Sequence, residues 1–141
     1  MFIIKNKYFL IIESIKDIDL RYIKKRNKFS IIYRNKNHTE NTTDLLNFRK
    51  QCKEKTIKFF IANNTSLAVL LNADGVYLSA HNKSFKSLSL KRPNFEVIGS
   101  AHNLKEITLK IKQGCNLILF SKLFVVSYNK NASYLGINKF N

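Results

Sequence analysis

Proline occurs once and glycine four times in this chain of 141 residues. With so few breakers there is no Pro/Gly-rich linker, and neither an internal repeat nor a low-complexity tract divides the sequence. The whole of 1–141 is therefore expected to form a single domain. Cysteine is nearly as scarce: Cys52 and Cys115 stand far apart, outside any CxxC or Cys/His metal spacing. That excludes a disulfide framework and predicts two free thiols in a reducing, cytoplasmic setting. Long hydrophobic runs are also missing. The apolar stretch from Met1 to Ile12 is interrupted by Lys5 and Lys7. It is too short for a bilayer and has no small-residue cleavage site, so neither a membrane partner nor a secretory leader is expected.

Acidic residues are few as well, nine against 25 Lys and Arg, for a formal net charge of +16. Such an excess can mark a nucleic-acid footprint. Here the cations are mostly lysine and are scattered from Lys5 to Lys139, and no RNP-like, zinc-finger or helix-turn-helix signature accompanies them. Lys, Asn and Ile, all abundant, share A/T-rich codons. The excess is read first as compositional bias on solvated faces, then as a field for phosphorylated small molecules, and last as a polynucleotide surface. Nucleic acid is not the expected partner.

What the chain does have is a row of short apolar runs, each followed by small polar or reactive residues. The runs are Tyr8–Ile12, Phe29–Tyr33, Ile57–Ile61, Gly75–Leu78, Glu96–Gly99 and Asn116–Phe120. Several are apolar throughout, as parallel strands buried on both faces are. Helical patterns alternate with them over Thr43–Lys55, Leu67–Leu71 and Leu104–Gln113, the last with Asn103 as its cap and Gly114 as its stop. The connection Lys16–Lys28 has a weaker pattern. Alternating strands and helices predict an α/β fold of βαβ units, with reactive groups at the carboxyl ends of the strands.

Those ends read Tyr33-Arg34-Asn35-Lys36, Ile61-Ala62-Asn63, Leu78-Ser79-Ala80-His81-Asn82 and Gly99-Ser100-Ala101-His102-Asn103. Arg34 and Lys36 are two apart, so on an extended strand end both cations point the same way and suit a phosphate or pyrophosphate. Together with Leu67-Ala68, Ala73-Asp74-Gly75-Val76-Tyr77-Leu78, Gly114-Cys115-Asn116, Ser121-Lys122-Leu123-Phe124 and Lys130, in this order, the chain resembles the thiamine-phosphate synthase/TenI family over about residues 8–140.

The resemblance implies a (β/α)8 TIM barrel. Such a barrel takes about 200–250 residues, so this one is expected to be incomplete after about six βα units. The exposed strand edges would then call for a homo-oligomer, another partner or a longer gene product. The implied role is in thiamine biosynthesis, as a transferase that joins a hydroxymethylpyrimidine pyrophosphate to a thiazole phosphate with Mg2+. By motif, Arg34, Lys36 and Lys130 would meet the pyrophosphate, Lys122 would lie at the sixth strand end, and Ser100 would sit near the reacting groups.

Three positions depart from the family pattern. Ile32 replaces a glutamine, Ala62-Asn63 stands for an Asn-Asp pair, and Asn82 replaces the last aspartate of the fourth strand end. Mg2+ prefers anionic oxygen, so the two amides argue against metal-pyrophosphate chemistry, and no metal ligand is assigned. The TenI branch makes no such demand. Some of its members isomerise a thiazole carboxylate phosphate, and here His102 would be the acid/base. His81 is expected at the pocket rim and His38 in solvent, and no carboxylate is foreseen beside any histidine. Asp74 is assigned to the turn before its strand. Asn63 and Asn82 would line the pocket as neutral hydrogen-bond partners or survive as relics of a metal site. A phosphate-ligand-binding remnant without activity is the remaining alternative.

Overall fold

The β-branched and aromatic runs form strands, and the central ones, such as Phe29–Tyr33 and Gly75–Leu78, bury both faces. The computed structural model describes residues 3–4, 7–24, 26–37, 40–90 and 92–120. Its strands are β1 (Ile3–Ile4), β2 (Lys7–Ile12), β3 (Phe29–Tyr33), β4 (Lys58–Ala62), β5 (Gly75–Leu78), β6 (Glu96–Ala101) and β7 (Leu117–Phe120). They follow one another in a single sheet in chain order; β1 pairs antiparallel with β2, and β2 to β7 are parallel. Six parallel strands in sequential order, with helices on one side only, are the arrangement of a TIM-type barrel wall. The antiparallel β1 had no counterpart in the sequence pattern. Among the described residues no helix is long and apolar enough to cross a membrane.

Strand side chains alternate between two packing layers. Ile31, Tyr33, Phe59 and Ile61 join the cluster that also takes Leu45, Phe48 and Cys52, while Ile32 and Phe60 join Phe9, Tyr77 and Ile98 on the opposite face. The first layer is closed by α1 (Thr42–Glu54), which Asn41 caps by accepting from Asp44 N at 2.8 Å. Its buried positions Leu45, Phe48, Arg49 and Cys52 fall at helical spacing. The helices α2 (Thr65–Leu70) and α3 (Leu104–Lys112) begin at Asn64 and Asn103 in the same way. Among its described residues the weak connection holds no α-helix, only single 3-10 turns at Ile15–Asp17, Leu20–Tyr22 and Arg26–Lys28. There Ser14 and Asp19 satisfy local N–H groups, and Leu20 and Ile23 anchor the segment in the core.

Asp74 ties down the amino-terminal end of the sheet. Its Oδ2 accepts from Phe59 N at 2.8 Å, its Oδ1 lies 3.3 Å from the buried Arg49 guanidinium, and its carbonyl accepts from Glu96 N at 3.0 Å. One short acid thereby locks β4, β5 and β6, on the face of a barrel that serves stability.

Burial raises the Cys52 thiol from 9.0 to about 12 and the Cys115 thiol from 9.0 to about 11. Burial, helped by Glu40, raises Tyr33 from 10.0 to about 12. Each group keeps its proton longer folded than unfolded, so the stability it supports is complete below its unfolded pKa and is lost as pH climbs to the folded one. Burial lowers the Lys110 ammonium, which acts in the opposite sense. With three groups against one, stability, and the thermal midpoint with it, is expected to fall from about pH 9 upward, the unfolding free energy losing about 1.4 kcal/mol per pH unit through Cys52 alone. Cys52→Ala should flatten that alkaline limb in melts recorded between about pH 8 and 11; an unchanged slope would refute the assignment.

Candidate active site

The carboxyl ends of the parallel strands open into a cavity of about 710 Å3. Phe9 to Ile11 of β2 and Leu119 and Phe120 of β7 supply apolar wall, while Arg34, Tyr77, Ser79, His81, Ser100 and His102 supply polar groups. Arg34 is placed by its own backbone, whose N–H donates to Ile12 O at 2.8 Å. The segment beyond it is braced by Glu40, which accepts from Tyr33 Oη at 2.7 Å and from Ile15 N at 3.0 Å and also pairs with Ser14.

His102 follows β6 and immediately precedes the cap of α3. Glu106, in the first turn of that helix, accepts from His102 N at 2.6 Å and approaches His102 Nδ1 to 3.3 Å. Asn103 Oδ1 in turn accepts from Glu106 N at 2.9 Å. A carboxylate at Nδ1 favours the tautomer with its proton there, in which Nε2 is the basic nitrogen. The His81 and His102 rings lie with centroids 6.1 Å apart, tilted by 51°. Both line the cavity together with Ser100. Chemically, this is a site that can hold an anion at Arg34 and exchange a proton at His102.

The loop after β5, which carries His81, is fastened to α3 by groups with no solvent exposure. Lys110 Nζ donates to Asn82 O and to Gln113 Oε1, each at 2.8 Å, and Gln113 Nε2 donates to Asn82 O and Ser84 O, each at 2.8 Å. Lys110 and Gln113 are both at 0% exposure. Buried polar groups that are fully satisfied hold their neighbours in one arrangement, here the loop of His81 against the helix of Glu106.

Of the residues picked out by sequence, Arg34, His81, Ser100 and His102 are brought together on one cavity. Lys36 is not: it is exposed and off the cavity wall. Strand pairing ends at Tyr33, and Asn35 Oδ1 accepts from Asn37 N at 2.7 Å, so the alternation that would align Lys36 with Arg34 has stopped. Asn63 and Asn82 do not line the cavity either, and their side chains are taken up locally. Asn63, at φ 60°, accepts at Oδ1 from Ser79 N at 3.0 Å and from Asn82 Nδ2 at 2.9 Å, while Asn82 Oδ1 accepts from Ser84 N at 2.8 Å. Lys122, Lys130 and His38 lie outside the described residues.

That donor set does not fit Mg2+. The oxygens at both positions are neutral, Asn63 Oδ1 already accepts twice, and the described residues hold no group of three or more His, Cys, Asp or Glu able to bind a metal.

The expectation that no carboxylate supports a histidine is corrected by Glu106. The sequence carried a signal for it, Asn103 followed three residues later by Glu106, the spacing of a capping box, which also places Glu106 one turn from His102. Lys110 and Gln113 had no such signal, because a lysine in a lysine-rich amphipathic helix reads as surface.

A family model described as thiamine monophosphate synthase matches residues 9–141. Among curated proteins, the thiamine-phosphate synthase of Prochlorococcus marinus subsp. pastoris is 28% identical over 104 residues, covering 73% of this chain and 30% of that protein. The thiamine-phosphate synthase of Prochlorococcus marinus strain AS9601 is 26% identical and covers 94% of this chain and 36% of its own length. That of Bacillus cereus strain B4264 is 29% identical over 62% of this chain and 42% of that protein. The chain thus spans less than half the length of these relatives. A solved thiamine phosphate pyrophosphorylase from Pyrococcus furiosus superposes with a TM-score of 0.62 at 21% identity, over 95% of this chain and 67% of that one. It has the same fold.

Proposed function

The chain belongs to the thiamine monophosphate synthase family, and from that premise we propose that it binds a phosphorylated thiazole and moves a proton on its ring through His102. The observation that carries this reading is His102 on the cavity wall with Glu106 at 3.3 Å from Nδ1. Such a pair serves a tautomerisation. His102 Nε2 takes a proton from one ring position, the ring double bonds shift, and the same proton returns at another position, so nothing is consumed. Glu106 offsets the charge of the imidazolium between the two transfers. Arg34 faces the anionic part of the ligand, His81 and Ser100 contact its polar edge, and the apolar wall from Phe9 to Phe120 accepts the ring. No step requires a metal, which agrees with the amide pair Asn63–Asn82.

A second reading is the condensation of hydroxymethylpyrimidine pyrophosphate with thiazole phosphate. The names of the curated relatives favour it, and Arg34 would meet the leaving pyrophosphate. Two experiments separate the readings. Incubation with a thiazole carboxylate phosphate, followed by NMR, is expected to show interconversion of its tautomers. Incubation with both phosphorylated precursors and Mg2+ is expected to yield no thiamine phosphate. Formation of thiamine phosphate without tautomer exchange would overturn the proposal in favour of the synthase, and ligand binding without either turnover would identify a non-catalytic binder.

A further inference from the structure

A second cavity, of about 630 Å3, lies between the loop after β5 and the length of α3. It meets the first at Ala80 and His81, which line both. Its charged lining is Lys83 from the loop, Lys105 and Lys112 from the helix, and Glu106, with Leu109 among the apolar contributions. Glu106 is the single acid there, and its carboxylate is engaged by His102 N at 2.6 Å and Nδ1 at 3.3 Å. The three lysines are exposed, and among the described residues none of them forms an ion pair.

The sequence around the groove supplies no compensation. Neither 75–90 nor 107–120 contains an Asp or Glu. The remaining acids whose ion pairs are described answer cations elsewhere, Asp19 to Arg21, Asp74 to Arg49 and Glu96 to Lys58. Folding brings three of the chain's scattered lysines together on one concave site. A cleft lined by one sign of charge concentrates its counter-ion.

From this juxtaposition we infer that the groove is a second anion site, for a diphosphate or a phosphate ester with an extended body, distinct from the site at Arg34. Lys105 and Lys112 are about 10 Å apart along the helix by its rise per residue, and Lys83 faces them from the loop. An elongated anion can therefore be held at more than one point, with its stem against Leu109 and the lysine methylenes. His81, common to both cavities, would sense the occupancy of each. This inference is read by binding alone, so failure of the proposed chemistry leaves it standing.

The probe is inorganic pyrophosphate, titrated into wild-type protein and Arg34→Ala while the backbone amides are followed by NMR. Saturable shifts are expected at Lys83, Lys105 and Lys112 in both proteins. The double variant Lys105→Gln/Lys112→Gln should bind roughly tenfold more weakly at these amides, the loss expected from two exposed charge contacts, with an unchanged thermal midpoint. Lys105→Arg/Lys112→Arg, which keeps both charges, should bind like wild type. Shifts spread without saturation over surface lysines would overturn the assignment, as would shifts that vanish in Arg34→Ala or persist undiminished in the glutamine variant.

Discussion

His102→Ala is expected to reduce proton transfer on the thiazole ring by about 10²- to 10⁴-fold, the usual contribution of a positioned acid/base. The phosphorylated ligand should still bind, because Arg34 and the apolar wall of the cavity are untouched. Glu106→Gln separates orientation from chemistry. It retains an oxygen for His102 N but removes the charge beside Nδ1. Its effect should be smaller, and should fall on kcat with KM nearly unchanged, since Glu106 acts through His102. Single-turnover NMR on both variants provides the measurement. Wild-type exchange rates in His102→Ala would remove the histidine from the mechanism. An equal loss of ligand binding in the two variants would instead make the histidine and its carboxylate purely structural.

Gly75→Ala is expected to be the most damaging methyl group among the described glycines. Gly75 pairs with Phe60 on one side and with Glu96 on the other, at the start of a central strand. A Cβ built there would stand 1.9 Å from the Glu96 carbonyl oxygen and 2.8 Å from Phe60 Cε1. The first obstacle is backbone and cannot turn aside as a side chain does. Overpacking of this kind costs about 1–3 kcal/mol in ordinary cores and more where backbone must shift, so a loss of about 3 kcal/mol or greater is expected in denaturant titrations. Gly114→Ala offers a comparison, because its constraint is a φ of 83° and the flexible end of Leu88 at 2.8 Å. If Gly75→Ala proved no worse than Gly114→Ala, the backbone clash would not be the controlling term.

The parallel strands were legible because burial on both faces favours continuous apolar residues, and β2 to β7 agree with the apolar runs to within two residues at each end. The helix α3 was marked by Asn103, whose side chain satisfies an N–H group that a helix start leaves open, whereas α2 was read from its apolar residues and its Asn64 cap emerged only in the structure. The strand-end histidine and arginine were legible for the same reason. Lys36 misled, since alternation of side chains holds only while the chain stays extended, and an Asn35 turn ends that one residue after Arg34. The amide pair illustrates a different limit. The two amides can be read from the letters, but the hydrogen bond that seals Asn63 to Asn82 joins residues 19 apart.

Local chemistry, then, was determined by the sequence itself: six parallel strands, their helix caps, and a reactive group at each of several strand ends. Whatever depends on residues distant in the chain was decided by tertiary structure. Lys110 became a buried ammonium because folding brought the Asn82 carbonyl, 28 residues away, to 2.8 Å from it. Glu106 became the partner of a histidine because α3 starts where β6 stops, and scattered lysines became a groove because the loop after β5 lies along that helix. Hydrogen bonds and fields act through space at a few ångströms, and only the fold sets those distances.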